Sequence, residues 1–394
     1  MYKPDLSAAD LCVMCGMCQP HCPTYRADHI EPESPRGRVS LILGLWQQQL
    51  QADDSVIRHI HHCTGCGACE AICPSRVPII QLMDNSKVLF PKRNLVLKTL
   101  LFLVRYPARY RLLAFFLRSQ RIGALLRASG LLAKESKPLQ SSIKDTPTTP
   151  ALETFYPAKS TIQGNIGLFT GCISQLFDKK TLHDSITLLT HCGYNIHVSR
   201  QQACCGALHQ HNGRPDEAQL LAAQNQQVFQ TKALDAVIST STGCTAQLKT
   251  SLQSIAVFDL MQFINEHNLL EQLELQPLKG KVLIHEPCSQ RNQLKLPAIV
   301  PLMQQIPGLV FAELSENKFC CGAGGVNMLL DTPLANTLRQ NKISDIDNQS
   351  ADYVVTTNYG CALHLASGSI ELSQRKQTEF CHPVSLLVRS ASLQ

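Results

Sequence analysis

Eight cysteines near the N-terminus form two copies of one motif, C-x-x-C-x-x-C-x-x-x-C-P. In two-cluster ferredoxins this spacing supplies three ligands to one [4Fe-4S] cluster, while the fourth cysteine reaches the other cluster. The spacing therefore predicts a first cluster held by Cys12, Cys15, Cys18 and Cys73, and a second cluster held by Cys22, Cys63, Cys66 and Cys69. Exchanged ligands place the clusters close together, which suits electron transfer. The alternative is two four-cysteine zinc sites, which use C-x-x-C pairs but not this triplet followed by C-P.

A second cysteine pattern is duplicated in the last 231 residues. The offsets between the copies are 116, 116, 116 and 117 residues, which relate Cys172, Cys204, Cys205 and Cys244 to Cys288, Cys320, Cys321 and Cys361. Each adjacent cysteine pair is followed by glycine, Gly206 or Gly322, which permits a sharp backbone turn. Such agreement indicates a duplicated structural unit.

Three interpretations of these eight thiols compete. They hold a further iron–sulfur or other metal centre, they form a thiol site that handles a disulfide or a quinone, or they are small buried hydrophobic residues. Repetition of the whole pattern favours the metal centre. Cys192 and Cys381 lie outside the repeat, and core packing is the better interpretation for Cys192.

The elements around the cysteines predict the fold class. Runs rich in β-branched residues precede the cysteines, and helical patterns such as Asp178–His191 and Glu217–Phe229 separate these runs. This alternation predicts α/β units with mainly parallel sheets, and the cysteines follow the carboxyl ends of the strands, where such sheets bind ligands. We expect the copies to face each other about a pseudo-two-fold axis. The whole chain is then an α+β and α/β multidomain protein that begins with a helical, ferredoxin-like domain.

The predicted domain plan has five parts. A dicluster domain spans residues 1–90 and is followed by a basic amphipathic helical segment at 91–134 and a linker at 135–163. The first Cys-Cys-Gly domain then spans residues 164–275, and the second spans residues 276–394. Between the cluster motifs, Pro35 is expected near the start of a helix that continues towards Leu50, with Arg36 and Arg38 in its first turn close to a cluster. Positive charge there would favour the reduced state of the cluster.

Charge is concentrated in one segment. Residues 88–134 contain ten Lys and Arg and no acidic residue, whereas the rest of the chain is slightly acidic. Charged residues and Pro107 interrupt the apolar run too often for a membrane span. The pattern predicts two or three short, basic, amphipathic helices. They either contact an anionic membrane surface or pack on neighbouring elements as an ordinary helical connector. No nucleic-acid-binding module and no secretory signal are recognised, so we expect a reducing, cytoplasmic location, with membrane contact at most peripheral.

The combined motifs resemble the iron–sulfur subunit of glycolate oxidase. The resemblance rests on the paired ferredoxin motifs, the Pro-Arg-Gly-Arg helix start, His285-Glu-Pro-Cys288 and the two Cys-Cys-Gly units. The Cys-Cys-Gly domains are also similar to those of heterodisulfide reductase and of the anaerobic glycerol-3-phosphate dehydrogenase small subunit. In the reductase pattern each unit ends in C-x-x-C, but here Gln247 and His364 occupy the last positions. His364 and His285 are candidate replacement ligands, although packing is the preferred interpretation for both.

The resemblance implies two [4Fe-4S] clusters and an electron-transfer role within an oxidoreductase. A separate FAD-containing subunit would oxidise glycolate or D-lactate, and this chain would pass the electrons towards a quinone or another membrane acceptor. The sequence agrees that hydride chemistry needs a partner, because no G-x-G-x-x-G motif with its third glycine is found. Alternative functions are a thiol- or disulfide-reducing module and the small subunit of an anaerobic glycerol-3-phosphate dehydrogenase.

Overall fold

The computed structural model describes residues 2–92, 94–106, 109, 119–128, 149–372 and 378–393. The predicted fold class is confirmed: a helical N-terminal domain precedes two α/β units with mostly parallel sheets.

The N-terminal domain consists of short helices around a small apolar core. The helices are α1 (Pro23–Asp28), α2 (Pro35–Trp46), α3 (Asp54–His61), α4 (Ala68–Ala71) and α5 (Ile79–Leu89). As predicted, Pro35 occupies the first turn of α2, where the Ser34 hydroxyl accepts a hydrogen bond from the Gly37 amide at 2.9 Å. The helix ends at Trp46 rather than near Leu50 because the chain turns back through a left-handed residue, Gln48 (φ 60°).

Two helices are described in the predicted basic segment, α6 (Leu95–Val104) and α7 (Gln120–Ala128). The inner face of α6, formed by Leu97, Leu101 and Val104, is buried against the Cys-Cys-Gly units. This packing supports the connector interpretation for α6. Much of the segment, including Arg111, Arg118 and Lys134, lies outside the described residues.

The first Cys-Cys-Gly unit has a five-stranded sheet of order β1-β3-β2-β4-β5. Its strands are β1 (Phe155–Tyr156), β2 (Gly164–Phe169), β3 (Tyr194–His197), β4 (Ala236–Ser239) and β5 (Ala256–Asp259). All neighbours pair in parallel except β1, which lies in the predicted linker and pairs antiparallel with β3. Its helices are α8 (Ser174–Phe177), α9 (Lys179–His191), α10 (Ala207–Gln210), α11 (Pro215–Gln230), α12 (Thr242–Ser251) and α13 (Leu260–Glu266).

The second unit has a four-stranded, fully parallel sheet of order β7-β6-β8-β9. Its strands are β6 (Gly280–Ile284), β7 (Leu309–Ala312), β8 (Tyr353–Val355) and β9 (Glu379–Cys381). Its helices are α14 (Val300–Met303), α15 (Asn327–Leu330), α16 (Thr332–Gln349), α17 (Tyr359–Leu372) and α18 (Pro383–Ser390). Without β1, the first sheet has the order β3-β2-β4-β5, so the two copies share one topology.

The two copies share a continuous apolar core. Leu182, Ile186 and Leu189 on α9 belong to the same buried cluster as Leu386 and Leu387 on α18. Burial of these side chains in one cluster holds the units together by the hydrophobic effect rather than through a flexible tether. The copies therefore hold their cysteine-bearing loops in a fixed relation to each other.

Candidate functional site

The first predicted cluster site is a cavity near the protein surface. Its wall contains Cys12, Cys15 and Cys18 of the first motif and Cys73 of the second. Cys15 is exposed, whereas the other three cysteines are partly buried. Cys73 reaches this cavity from a turn rather than from a helix start, unlike its counterpart Cys22. The structure thus brings together the four cysteines predicted for the first cluster.

The second predicted site is a neighbouring and more deeply buried cavity. Its wall contains Cys22 from the first motif together with Cys63, Cys66 and Cys69 from the second. Burial raises the pKa of the Cys66 thiol, and neighbouring thiols add to this rise. Ile79 lines both cavities, so the two sites are separated by little more than a side chain. The partition of the eight cysteines between the cavities is the one that the motif spacing predicts.

Both cysteine loops adopt the same backbone shape. Gly65 (φ +65°) and Gly67 (φ +71°) are left-handed in the second loop. The corresponding residues of the first loop, Met14 (φ 55°) and Gly16 (φ 80°), are left-handed as well. A non-glycine residue rarely adopts this conformation, so Met14 is held there by its surroundings. The shared shape is what directs three successive thiols of each motif towards one point.

One arginine from the start of α2 lies at each cavity. Arg36 lines the first cavity, is partly exposed and pairs with Glu31 at 2.7 Å. Arg38 lines the second cavity, is only 2% exposed and pairs with the equally buried Glu33. Nη1 of Arg38 also lies 3.9 Å from the Cys22 sulfur. The expectation that both arginines lie near a cluster site agrees with the structure, but only Arg38 is shielded from water.

A buried charge network extends from Arg38 to the second Cys-Cys-Gly unit. His59 and His62 approach the Glu33 carboxylate at 2.6 and 3.3 Å, and His62 also contacts Asp331 at 2.9 Å. Burial alone would raise the pKa of Glu33, but hydrogen bonds from the histidines and the charge of Arg38 lower it to about 2. Hydrogen bonds to Asp331 and Glu33 raise the pKa of His62 to about 9. The network therefore joins the dicluster domain to its neighbour by ion pairing.

All eight cysteines of the repeat line one chamber between the two units. The chamber has a volume of about 240 Å³ and includes Cys172, Cys204, Cys205, Cys244, Cys288, Cys320, Cys321 and Cys361 in its wall. The sulfurs of Cys172 and Cys204 are 3.7 Å apart. These thiols follow the carboxyl ends of the strands in both sheets, as expected for a ligand site in a parallel α/β fold. The two copies therefore present their thiols to each other rather than to separate surfaces.

Each adjacent cysteine pair is positioned by a left-handed glycine. Gly206 and Gly322 have φ angles of +94° and +90°. A Cβ atom added to Gly322 would lie 2.5 Å from the carbonyl oxygen of Ala335 on α16, which is a steric clash. The glycines thus allow the turn that points both cysteines of a pair into the chamber, as the sequence predicts.

The two copies have matching electrostatics. Hydrogen bonds from Cys172 and Cys205 lower the pKa of Cys204 well below its ordinary value, and Cys320 is lowered in the same way by Cys288 and Cys321. A thiolate is the form of cysteine that ligates metals. The first cysteine of each pair is therefore the one that the protein favours as a thiolate.

The histidines near the chamber differ in their surroundings. Nε2 of His364 lies 3.1 Å from the carbonyl oxygen of Ala335, which supports the packing interpretation. His285 is 1% exposed and neither ring nitrogen has a hydrogen-bond partner of ordinary geometry. One of its nitrogens and the sulfurs of Cys321 and Cys361 all lie within 4.8 Å of one another. The packing interpretation of His285 therefore does not describe its environment. Sequence reasoning also overlooked His209, which is fully buried with its Nε2 3.8 Å from Glu217.

The two remaining cysteines lie outside the chamber wall. Cys192 is the C-cap residue that follows α9, is 1% exposed, and its sulfur lies 3.8 Å from the carbonyl oxygen of Leu269. Burial raises the pKa of this thiol to about 11. Core packing therefore accounts for Cys192. Cys381 lies on strand β9, next to Val355 of β8.

The loop of the second cluster motif also forms part of the chamber wall. Cys63, Thr64 and Gly65 line both the second cavity and the chamber. Side-chain amides from the second unit fix this loop, because Asn292 donates to the carbonyl oxygen of Cys66 at 2.8 Å and Gln293 donates to that of Gly65 at 3.2 Å. Three thiol-lined spaces thus form a contiguous series, from the exposed Cys15 to the interior chamber.

The donor sets fit iron–sulfur clusters. Each of the first two cavities offers four thiols and otherwise mostly apolar walls, and the chamber offers eight thiols next to a histidine whose ring nitrogens lack ordinary hydrogen bonds. Cysteine thiolates are the usual protein ligands of such clusters.

Comparison with known proteins supports this assignment. Residues 8–77 match the model of a 4Fe-4S dicluster domain, and residues 166–249 and 282–366 each match the model of a cysteine-rich domain. The chain is 26% identical to the probable glycolate oxidase iron-sulfur subunit of Bacillus subtilis, over 99% of this chain and 96% of that protein. It is also 26% identical to the glycolate oxidase iron-sulfur subunit of Escherichia coli, over 90% and 89% of the two chains.

The chain combines a 4Fe-4S dicluster domain with two cysteine-rich domains, and it is similar to glycolate oxidase iron–sulfur subunits along nearly its whole length. The resemblance recognised in the sequence is thereby confirmed. A more distant relative is a component of the dihydromethanophenazine:CoB–CoM heterodisulfide reductase of Methanosarcina barkeri, which is 22% identical over 92% of this chain and 90% of that protein. These three relatives are thus named as subunits of two different oxidoreductases. None of the helices in the described part of the chain has both the length and the hydropathy of a membrane span.

Proposed function

We propose that this chain is the electron-transfer subunit of a flavin-dependent 2-hydroxy-acid dehydrogenase. In this proposal an FAD-containing partner oxidises glycolate or D-lactate, and the present chain conveys the electrons towards a quinone. The observation that carries the proposal is the contiguous series of three thiol-lined spaces, in which Ile79 lies between the first two and Cys63 between the second and third. A contiguous series is what short-range electron transfer requires.

Iron–sulfur clusters supply one-electron chemistry, which a two-electron flavin reaction needs in order to feed a carrier chain. The protein's own contribution is to hold and shield them. Cys12, Cys15, Cys18 and Cys73 are the proposed ligands of the first cluster, and Cys22, Cys63, Cys66 and Cys69 those of the second. Arg38 supplies a buried positive charge beside the second site. The eight thiols of the chamber are the proposed ligands of one or more further centres.

The rim of the first cavity is a candidate docking surface for the flavoprotein partner. Val13 is 68% exposed, and Leu11 and Met17 are each about half exposed. These apolar side chains flank Cys15, the exposed cysteine of the series. An exposed apolar rim around a redox site fits a protein partner, because the site must be approached closely and covered from water.

The experiment is anaerobic co-purification of the chain with its flavoprotein partner, followed by iron and sulfide analysis. Oxidation of glycolate, D-lactate and glycerol 3-phosphate is then measured with a dye acceptor. We expect more than the roughly eight iron atoms of two [4Fe-4S] clusters, and activity with a 2-hydroxy acid. Val13→Glu should weaken the complex, whereas Ile162→Glu, at an equally exposed position of the first unit, should not. A colourless preparation with zinc in place of iron would refute the proposal.

A second candidate function is a thiol- or disulfide-reducing module. The observation in its favour is the close approach of Cys172 to Cys204, at 3.7 Å between sulfurs, with one thiol favoured as a thiolate. Substitution of Cys205 or Cys321 by serine separates the two functions. Loss of iron supports metal ligation, while full iron content with loss of turnover supports thiol chemistry.

A further inference from the structure

The second copy of the repeat contains a buried imidazole that the ferredoxin and cysteine-rich patterns leave without a role. His285 immediately follows β6, and its backbone amide donates to the carbonyl oxygen of Val355 at 2.9 Å, which continues the pairing of β6 with β8. The next amide, that of Glu286, donates to the Asn317 side chain at 3.0 Å. The backbone at His285 is therefore fixed on both sides, and so is the position of its ring.

The ring has the properties of a metal ligand. It is almost completely buried, and neither nitrogen has a hydrogen bond of ordinary geometry. A neutral imidazole with a free lone pair is the form that binds metals. An unpaired buried polar group is costly, which argues that the ring has a partner in the functional protein.

The distances identify that partner. The imidazole nitrogen and the sulfurs of Cys321 and Cys361 lie within 4.8 Å of one another. Metal–sulfur and metal–nitrogen bonds are about 2.3 and 2.1 Å, so two such ligands on one tetrahedral ion lie roughly 3.6 Å apart. A contraction of about 1.2 Å at most would let all three atoms bind a single ion. The alternative, that His285 only fills space, leaves this convergence unexplained.

The first copy has no histidine at the equivalent sequence position. Phe169 occupies the position three residues before Cys172 that His285 occupies before Cys288, and it is part of the apolar core. Among the described residues, no histidine of the first copy converges with two thiols in this way. The buried imidazole of the first copy, His209, instead lies beside one thiol, that of Cys204, and beside Glu217. The two copies therefore place their imidazoles differently although their folds match.

We propose that His285 is a direct ligand of the metal centre in the second cysteine-rich copy, which it shares with Cys321 and Cys361. This inference rests on the proposed function, because it requires metal in that copy. A neutral imidazole in place of a thiolate removes one negative charge from the centre and raises its reduction potential, as it does in Rieske centres. The second copy then carries the centre that is more easily reduced, and the first copy carries the more reducing one.

The test uses the iron-loaded chain, purified anaerobically from cells that were supplied with either ¹⁴N-histidine or ¹⁵N-histidine. Electron–nuclear double resonance should detect a strong histidine nitrogen coupling that responds to the label. His285→Cys should abolish the coupling and keep the iron. It should also lower the reduction potential of one centre by at least about 59 mV, which is a tenfold change in the equilibrium constant for its one-electron reduction. His285→Leu should lose iron from the second copy. His364→Asn is the matched control, since His364 belongs to the same copy and is hydrogen-bonded to a backbone carbonyl; it should retain the coupling.

Two results would overturn the inference, and they differ in what they say of the proposed function. A chain with more iron than the dicluster domain accounts for, but without histidine nitrogen coupling, refutes ligation by His285 and leaves the proposed function intact. A chain whose iron is confined to the dicluster domain refutes both the ligand and the third redox site. Unchanged potentials in His285→Cys would also contradict ligation, even if the variant folds and loads normally.

Discussion

Replacement of Arg38 by methionine should lower the reduction potential of the second cluster site, because the change removes a buried positive charge. Nη1 of Arg38 lies 3.9 Å from the Cys22 sulfur, and the side chain is 2% exposed. At this distance, two unit charges interact by about 4 kcal/mol at an effective dielectric constant of about 20. Methionine has a similar length and no charge, so it fills most of the same space.

The net effect is smaller than this upper value for two structural reasons. Glu33 pairs with Arg38 and opposes its field, and the charge of a cluster is spread over several atoms rather than fixed at one sulfur. Taking about half of the pair interaction gives roughly 2 kcal/mol, or about 90 mV for a one-electron couple. Arg36→Met is the matched control, because Arg36 begins the same helix but is about a third exposed. Solvent screening should limit its effect to roughly 20 mV.

The assay is an anaerobic redox titration followed by electron paramagnetic resonance, with iron analysis to show that each variant is fully loaded. The double variant Glu33→Gln with Arg38→Met tests the reasoning further. Removing both charges leaves no unpaired buried ion, so its potential should lie nearer to that of the wild type than that of Arg38→Met. An unchanged or higher potential in fully loaded Arg38→Met would refute the electrostatic role assigned to this residue.

Asp331 and Glu33 raise the pKa of His62 to about 9, so the stabilising ion pairs of His62 are complete below about pH 6.5 and are lost as the pH rises through about 9. Over this range the free energy of unfolding should fall by up to about 2 kcal/mol after solvent screening, and the temperature at which cluster absorbance bleaches should fall with it. His62→Gln should make this temperature less dependent on pH. Gly322→Ala should lower the free energy of unfolding by about 2 kcal/mol or more and deplete iron from the second copy, because φ is +90° and the new Cβ meets a backbone carbonyl. A Cβ at Gly65 meets nothing within 4 Å, so Gly65→Ala is the control. Equal iron loss in Gly65→Ala would contradict a steric cause. Cys192→Ala should leave iron content and spectra unchanged while lowering stability by about 1 kcal/mol; loss of iron would show that the packing interpretation is wrong.

The cysteine spacing was sufficient to predict the partition of thiols between the first two cavities. The motif is local: three thiols share one loop, and only the fourth must cross to the other site, so spacing alone constrains the geometry. The constant offset of about 116 residues likewise predicted two matching units, and the shared strand order agrees with it. The different positions of Arg36 and Arg38 also follow from helix geometry, because residues two apart point about 200° apart.

The sequence led us to expect that the two copies face each other, but spacing alone did not predict the convergence of all eight repeat cysteines on one chamber. It depends on how the two units dock, and docking is decided by packing of α9 against α18 rather than by any local pattern. The environment of His285 depends on the same tertiary packing. A histidine three residues before a cysteine is compatible with a surface, a core or a metal site, and only the missing hydrogen bonds distinguish them. The sequence pattern thus predicts which side chains could act as metal ligands, whereas the tertiary packing determines which groups surround each of them.

The dicluster domain contacts both halves of the chamber, and this has a consequence for electron transfer. Lys87 donates to the carbonyl oxygen of His211 in the first copy at 3.0 Å, while Asn292 of the second copy donates to that of Cys66 at 2.8 Å. The loop at Cys63 also lines the chamber, and Cys66 lies close enough to Cys288 and Cys320 of the second copy for these thiols to raise one another's pKa. The second cluster site is therefore next to the thiols of the second copy, and a difference in reduction potential between the copies would add to this proximity. An imidazole that ligates the centre of one copy only would make the two reduction potentials differ, which is why the test of His285 is also a test of the direction of electron flow.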